Sequence, residues 1–240
     1  MSKFFGAPHI NNAYLQINDK RIMKINYLLL FGTILCSCVR VDDHPGVVSE
    51  HIVSQFINVS SIELKYNEYE ENNGLFYFEN KGEYADNETR ERLWKEYDDY
   101  HYNKIRVEPL LVSMNDFIKI DVTSDRDFNN IPAGASLATK VRYIAYSPYK
   151  WLTSGCSQTY SWDQMPSDYT KFGNRHFQIP ELFPVNGLLS EITPEDLKLL
   201  IVSHICFYFI ETPAIKEHKI TVTFYEKEKS ISSSVQYVFQ

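Results

Sequence analysis

Four cysteines are the residues of this 240-residue chain best equipped for covalent chemistry, and they fall in two groups, Cys36 with Cys38 and Cys156 with Cys206. A thiolate can attack, bind zinc beside histidine, or pair with a second sulfur. Spacing gives zinc no support. Among His44, His51, His101, His176, His204 and His218 no two stand at i, i+2 or i, i+4, and none lies beside a cysteine in a ligand pattern. No metal or other cofactor is expected. Asp121, Asp125 and Asp127 lie close together without the glycine and distal glutamate of an EF-hand, so they are read as caps on a turn. Ser154-Gly155-Cys156-Ser157 lacks the second glycine of a nucleophile elbow. Glu181, Glu191, Glu195 and Asp196 have no identifiable partner, so no catalytic residue is assigned.

The first cysteine group ends a segment with the pattern of an export signal. Residues 23–38 read Met-Lys-Ile-Asn-Tyr-Leu-Leu-Leu-Phe-Gly-Thr-Ile-Leu-Cys-Ser-Cys, which is a basic residue, an apolar run and then small residues before a cysteine. The apolar centre, residues 27–35, is nine residues long. At about 1.5 Å per residue it covers about half of a hydrocarbon layer ~30 Å thick, too little for a permanent span. Leu35-Cys36-Ser37-Cys38 has the order of a bacterial lipobox, which makes Cys38 the residue expected to carry lipid. Its thiol takes a diacylglycerol thioether, and cleavage before it frees an amine for a further chain. Two or three chains, at about 0.8 kcal/mol per buried methylene, anchor stably where one does not. The basic start falls at Lys24, after a second methionine, so translation is expected to begin at Met23. The expected division is an upstream extension and signal over 1–37, a tether over 38–50 and a single β-rich domain over 51–240.

With Cys36 removed and Cys38 acylated, Cys156 and Cys206 remain, and exported chains live in a disulfide-permissive space. A bridge between them is expected; the alternative is that Cys206, inside an apolar run, is a small buried residue. Aromatic residues also cluster, with nine between Tyr143 and Phe177, a stretch of 35 residues. Tyr149, Trp151, Tyr160 and Trp162 are the candidates to hold a ligand, because exposed rings beside Asp and Asn stack on sugars or anchor a protein partner. Packing of loops onto the core is the competing reading of the same rings.

The elements that must position these residues read mostly with period two. Residues 58–66 place Ile62, Leu64 and Tyr66 on one face and Glu63 and Lys65 on the other. Residues 74–78 are a short aromatic run; 117–123 alternate with Ile118, Ile120 and Val122 on one side; 137–146 hold Val141, Tyr143 and Ala145 to one side. The continuous run 205–210 predicts a strand buried on both faces. Residues 218–225 and 231–239 alternate about a charged turn at 226–230, a terminal hairpin. Thr193-Pro194-Glu195-Asp196 before 197–202 predicts a short helix. The segment 86–100, with Leu93, Trp94 and Tyr97 as its apolar stripe, is either a second helix or an acidic loop. Six to eight short strands with few helices predict an all-β fold, an antiparallel β-sandwich of immunoglobulin-like type, with 146–184 as a long insertion.

Composition agrees with one folded domain: 44% of residues are apolar and 15% aromatic. A net charge of −7, which becomes −10 over 203 residues once 1–37 are removed, argues against a nucleic-acid partner.

The lipobox, the acidic pair Asp42-Asp43 that comes after it and a domain of this size resemble the small outer-membrane lipoproteins of Bacteroidetes-type bacteria. Val122-Thr-Ser-Asp-Arg-Asp-Phe-Asn129 followed by Ile131-Pro-Ala-Gly-Ala-Ser-Leu137 is similar to a segment of one such uncharacterised family. The resemblance implies an exported β-rich domain, membrane-anchored through lipid, facing the periplasm or the cell surface, and carries no catalytic residues. The expected function is non-enzymatic binding of a glycan or protein partner. The alternative is a structural or assembly component of a surface fibre or envelope complex.

Overall fold

Alternating apolar and polar residues demand sheets with one buried face, and the chain builds them. The computed structural model describes residues 48–67, 74–105, 109–161, 163 and 179–240, all within one unit spanning Val47–Gln240. Among them are strands β1 (Val48–Ser49), β2 (Gln55–Asn67), β3 (Leu75–Tyr84), β4 (Lys104–Ile105), β5 (Leu111–Ser113), β6 (Lys119–Ser124), β7 (Val141–Ser147), β8 (Phe183–Leu188), β9 (Cys206–Phe209), β10 (Glu217–Tyr225) and β11 (Ser230–Val238). Helices are α1 (Asn87–Glu96) and the short α2 (Tyr149–Thr153). The fold is all-β with a few short helices.

A six-stranded sheet in the order β5-β2-β3-β9-β7-β8 faces a three-stranded sheet in the order β11-β10-β6, with β1 and β4 as a separate ribbon. Every pairing in the two larger sheets is antiparallel except β2 with β5. Three strands against six is not the four-against-three pairing of an immunoglobulin constant domain. The core between the sheets takes Leu64, Phe76, Phe78, Val141, Tyr143, Phe207 and Phe209 from the large sheet and Ile120, Val122, Ile220, Val222 and Phe224 from the small one. The opposite face of the large sheet is buried too. Phe56, Val112, Ile144, Tyr146 and Cys206 pack there against Leu93 of α1 and Trp151 and Leu152 of α2. Burial on both faces is why β7 and β9 read as nearly continuous apolar runs.

The strand readings at 58–66, 205–210 and 218–239 hold, that at 137–146 holds only from Val141 because Ala138–Lys140 form a 3-10 turn, and β3 extends the aromatic run by six residues, to Tyr84. Ile118, 38% exposed, falls outside the inward phase because β6 begins only at Lys119. Within 86–100 the helix reading holds over Asn87–Glu96: Asp86 caps α1 by accepting from the Thr89 amide at 2.8 Å, and Leu93 is its buried residue. The helix expected over 193–202 is instead a three-residue 3-10 turn, Glu195–Leu197. The cap signal is real, since Thr193 and Asp196 exchange side-chain and backbone hydrogen bonds. After it the chain turns through Leu199 at φ 50° and extends. Leu197 and Leu200 enter one core while Leu199 and Ile201 enter the other, an alternation no helix can satisfy.

Two features shape β2 and the chain leading to it. The strand shifts register between Val59 and Ser61, opposite Gly82. A Cβ on Gly82 would stand 2.1 Å from the Asn58 carbonyl oxygen, so glycine is what lets the two strands close there. Upstream of β2, Val48 and Ser49 of the expected tether pair with Ile105 and Lys104 and so belong to the domain.

Candidate functional site

Strand β7 delivers its C-terminal end to α2 through Ser147, whose hydroxyl accepts from the Tyr149 amide at 3.0 Å and donates to the Lys198 carbonyl at 2.7 Å. That bridge brings two distant segments together. The Tyr149 hydroxyl donates to Glu195 Oε1 at 2.9 Å, and Lys198 Nζ donates to the same hydroxyl at 3.5 Å while lying 5.2 Å from the ring centroid. Tyr97, at the C-cap of α1, meets the Tyr149 ring edge-on with centroids 6.2 Å apart. Burial pushes both tyrosine hydroxyls up from their ordinary range, and the hydrogen bond from Lys198 to Tyr149 raises the lysine. At neutral pH the group therefore presents a cation and two neutral hydroxyls.

Beside this group lies a cleft of about 380 Å³ between α1 and the 113–116 loop, lined by Arg92, Glu96, Tyr97, Asn115, Asp116 and Lys198 among others. Arg92 and Glu96 pair along α1 at 3.1 Å. The loop is pinned from beneath by Asn115, which is 6% exposed. Its Oδ1 accepts from the Val59 amide at 2.7 Å and the Ser113 hydroxyl at 2.8 Å. Its Nδ2 donates to the Val59 carbonyl at 3.0 Å, Asn58 Oδ1 at 3.1 Å and Glu226 Oε1 at 3.0 Å. The bulge in β2, the loop and the β10–β11 turn are thus held by one amide. Asp116 shares a second recess, of about 440 Å³, with residues 226–229 of that turn.

Of the four aromatic candidates, Tyr149 touches two residues that line this cleft, Tyr97 and Lys198, without lining it itself. Trp151 is 4% exposed and stands edge-on to Tyr102 with centroids 6.3 Å apart, so it is a packing peg and offers no face for stacking. Tyr160 is half-buried, edge-on to Phe183 at 6.1 Å. Trp162 lies outside the described residues, as do Cys38, the 27–35 segment, Asp42, Asp43 and His176. Asn115, Asp116 and Lys198 carried no sequence signal and Tyr97 only that of a helix's apolar stripe, because the place of each at the cleft depends on a neighbour from a different part of the chain.

The expected Cys156–Cys206 bridge is not formed. Cys206 sits in register between Tyr77 and Ile144 within the large sheet, whereas Cys156 occupies a left-handed turn, at φ 60°, after α2. Both pack on the same apolar cluster as small residues. Burial pushes the Cys156 thiol up, away from the thiolate a nucleophile needs. Of the three aspartates, Asp127 caps its own turn by accepting from the Ala133 amide at 2.9 Å, whereas Asp125 accepts from the Lys219 amide at 2.7 Å, 94 positions away on β10. Among the described residues no helix is long and apolar enough to cross a membrane.

His204 stands on the 3-10 turn Val202–His204, against the Ser203 hydroxyl at 2.7 Å and the Tyr146 ring. It is not part of the cleft lining. Burial lowers its pKa from 6.5 to about 4, so the folded state disfavours its protonation. Its stabilising share is complete above pH 6.5 and is lost as pH falls to about 4. Because the ring keeps some solvent contact, the loss is about 2 kcal/mol. Urea unfolding of wild type and His204→Gln at about pH 7.5 and 4.5 checks this: the wild type should lose that much more than the variant, and equal losses would refute the assignment.

Searches against protein families, curated proteins and solved structures return no match to this chain, so its function must be read from this cleft and from the sequence.

Proposed function

We propose that the chain is an exported domain, anchored to a bacterial outer membrane by acyl chains on Cys38, that binds a polar ligand in the cleft beside Tyr97 and Tyr149. The observation that carries the binding half is the lining. One tyrosine, an arginine, a lysine, an amide and two carboxylates border a recess within the roughly 300–1,000 Å³ usual for ligand sites, and Tyr149 packs edge-on against that tyrosine. Donors and acceptors there are held by Asn115 and by the Tyr149–Glu195 hydrogen bond, so little ordering is left to pay for on binding. Supporting the anchor is the order Leu35-Cys36-Ser37-Cys38 at the end of a short apolar run.

Each half has its own test. Cells fed labelled palmitate should label the wild type and leave Cys38→Ala unlabelled; an unlabelled wild type removes the anchor. For the cleft, full-length protein is screened by thermal shift against neutral oligosaccharides, uronic-acid oligosaccharides and short peptides. One class should raise the wild-type midpoint and raise Lys198→Ala less. If no class raises it, the binding reading fails.

A further inference from the structure

The two recesses meet at Asp116, and their shared charge pattern narrows the ligand. Arg92 and Lys198 border the first, Lys227 and Lys229 the second. Against these four cations stand four carboxylates, Glu96, Asp116, Glu226 and Glu228. The signs are also mixed locally: Arg92 pairs with Glu96 at 3.1 Å and Lys229 with Glu226 at 3.3 Å. A polyanion laid along this path meets a carboxylate wherever it meets an ammonium, and like charges cost what opposite charges return. A sugar hydroxyl both donates and accepts, so it satisfies either sign without bringing a charge out of water. Asp116, at the junction, has no hydrogen bond or ion pair among the described residues and is exposed, so its carboxylate is open to a ligand that crosses from one recess to the other. The half-buried Tyr97 ring supplies the apolar wall against which the C–H face of a pyranose packs.

We infer that the occupant is a neutral oligosaccharide chain, long enough to pass Asp116 and lie in both recesses. This rests on the binding reading above and specifies its ligand. The recess at 226–229 is then an extension subsite, and chain length should matter.

Titration calorimetry on the full-length protein tests it with neutral gluco-, xylo- and manno-hexaoses, the matching disaccharides, a galacturonate hexamer and an acidic hexapeptide. At least one neutral hexaose should bind, at least tenfold tighter than its disaccharide. Asp116→Ala should weaken that hexaose about tenfold or more. Lys227→Ala with Glu228→Ala should erase most of the advantage of the hexaose over the disaccharide. All three side chains are exposed and without partners among the described residues, so these variants fold. Binding of the galacturonate or the peptide alone overturns the neutral sugar and leaves the binding domain standing. Equal affinity for hexaose and disaccharide overturns the joined path, and no binding by any probe overturns both readings.

Discussion

Asn115→Ala should lower the free energy of unfolding by about 3–4 kcal/mol, and with it the thermal midpoint by about 10 °C. Alanine leaves the amide and carbonyl of Val59, a residue only 2% exposed, without the side chain that satisfies both. Each buried polar group so orphaned costs about 1–3 kcal/mol. For a chain of this size each kcal/mol moves the midpoint by about 2–4 °C. Asn115→Asp discriminates the mechanism. It preserves shape and the oxygen facing the Val59 amide, yet it turns a second oxygen toward the Val59 carbonyl, Asn58 Oδ1 and Glu226 Oε1, where the amide donated. Aspartate should therefore be as damaging as alanine. A near-native aspartate variant in urea titration would show that the amide does not act as donor there. Because the same side chain holds the 113–116 loop, Asn115→Ala should also abolish ligand binding at temperatures where the protein is still folded.

Asp99→Ala should cost about 4 kcal/mol. The carboxylate is fully buried and divides its oxygens between two amides, Ile52 at 2.7 Å and Val53 at 2.9 Å. Ile52 and Val53 are core residues just before β2, so this one side chain ties the entry of the longest strand to the segment after α1. Trp94 completes the tie by donating its indole N–H to the Val53 carbonyl at 2.9 Å. Removing the carboxylate strands two buried donors at once. Asp99→Asn retains one acceptor but points an amino group at the other amide, so it should recover less than half of the loss. Denaturant unfolding reads both variants, and an Asp99→Ala midpoint within experimental error of wild type would show that the two amides find other partners.

Strands were legible where burial is one-sided or continuous. Residues 218–225 alternate because every second side chain enters the core between the sheets, and 205–210 do not because both faces are covered. The 193–202 segment misled because its cap residues are those of a helix, and their reciprocal hydrogen bonds do form. Beyond the cap, the path of the chain is decided by two cores competing for successive leucines, which no window of sequence contains. Trp151 shows the same limit. An exposed platform and a buried peg have one composition, and only the position of Tyr102 and the large sheet makes it a peg. Aromatic clustering pointed to Tyr149, which stands beside the cleft, but could not point to Tyr97, Asn115 and Lys198, which are 52, 34 and 49 positions away from it.

The sequence by itself determined the all-β class, the terminal hairpin and the Asp127 cap. Each of these is a local matter: a side chain's phase along a strand, or an amide six positions away. Only the tertiary structure decided which aromatic rings are pegs, that Cys156 and Cys206 stay unbridged, and that a cleft with balanced charge opens between α1 and the 113–116 loop. Those depend on the strand order β5-β2-β3-β9-β7-β8 and on a single buried amide joining three segments. Pair distances across a sheet follow from that order, and spacing along the chain does not encode it.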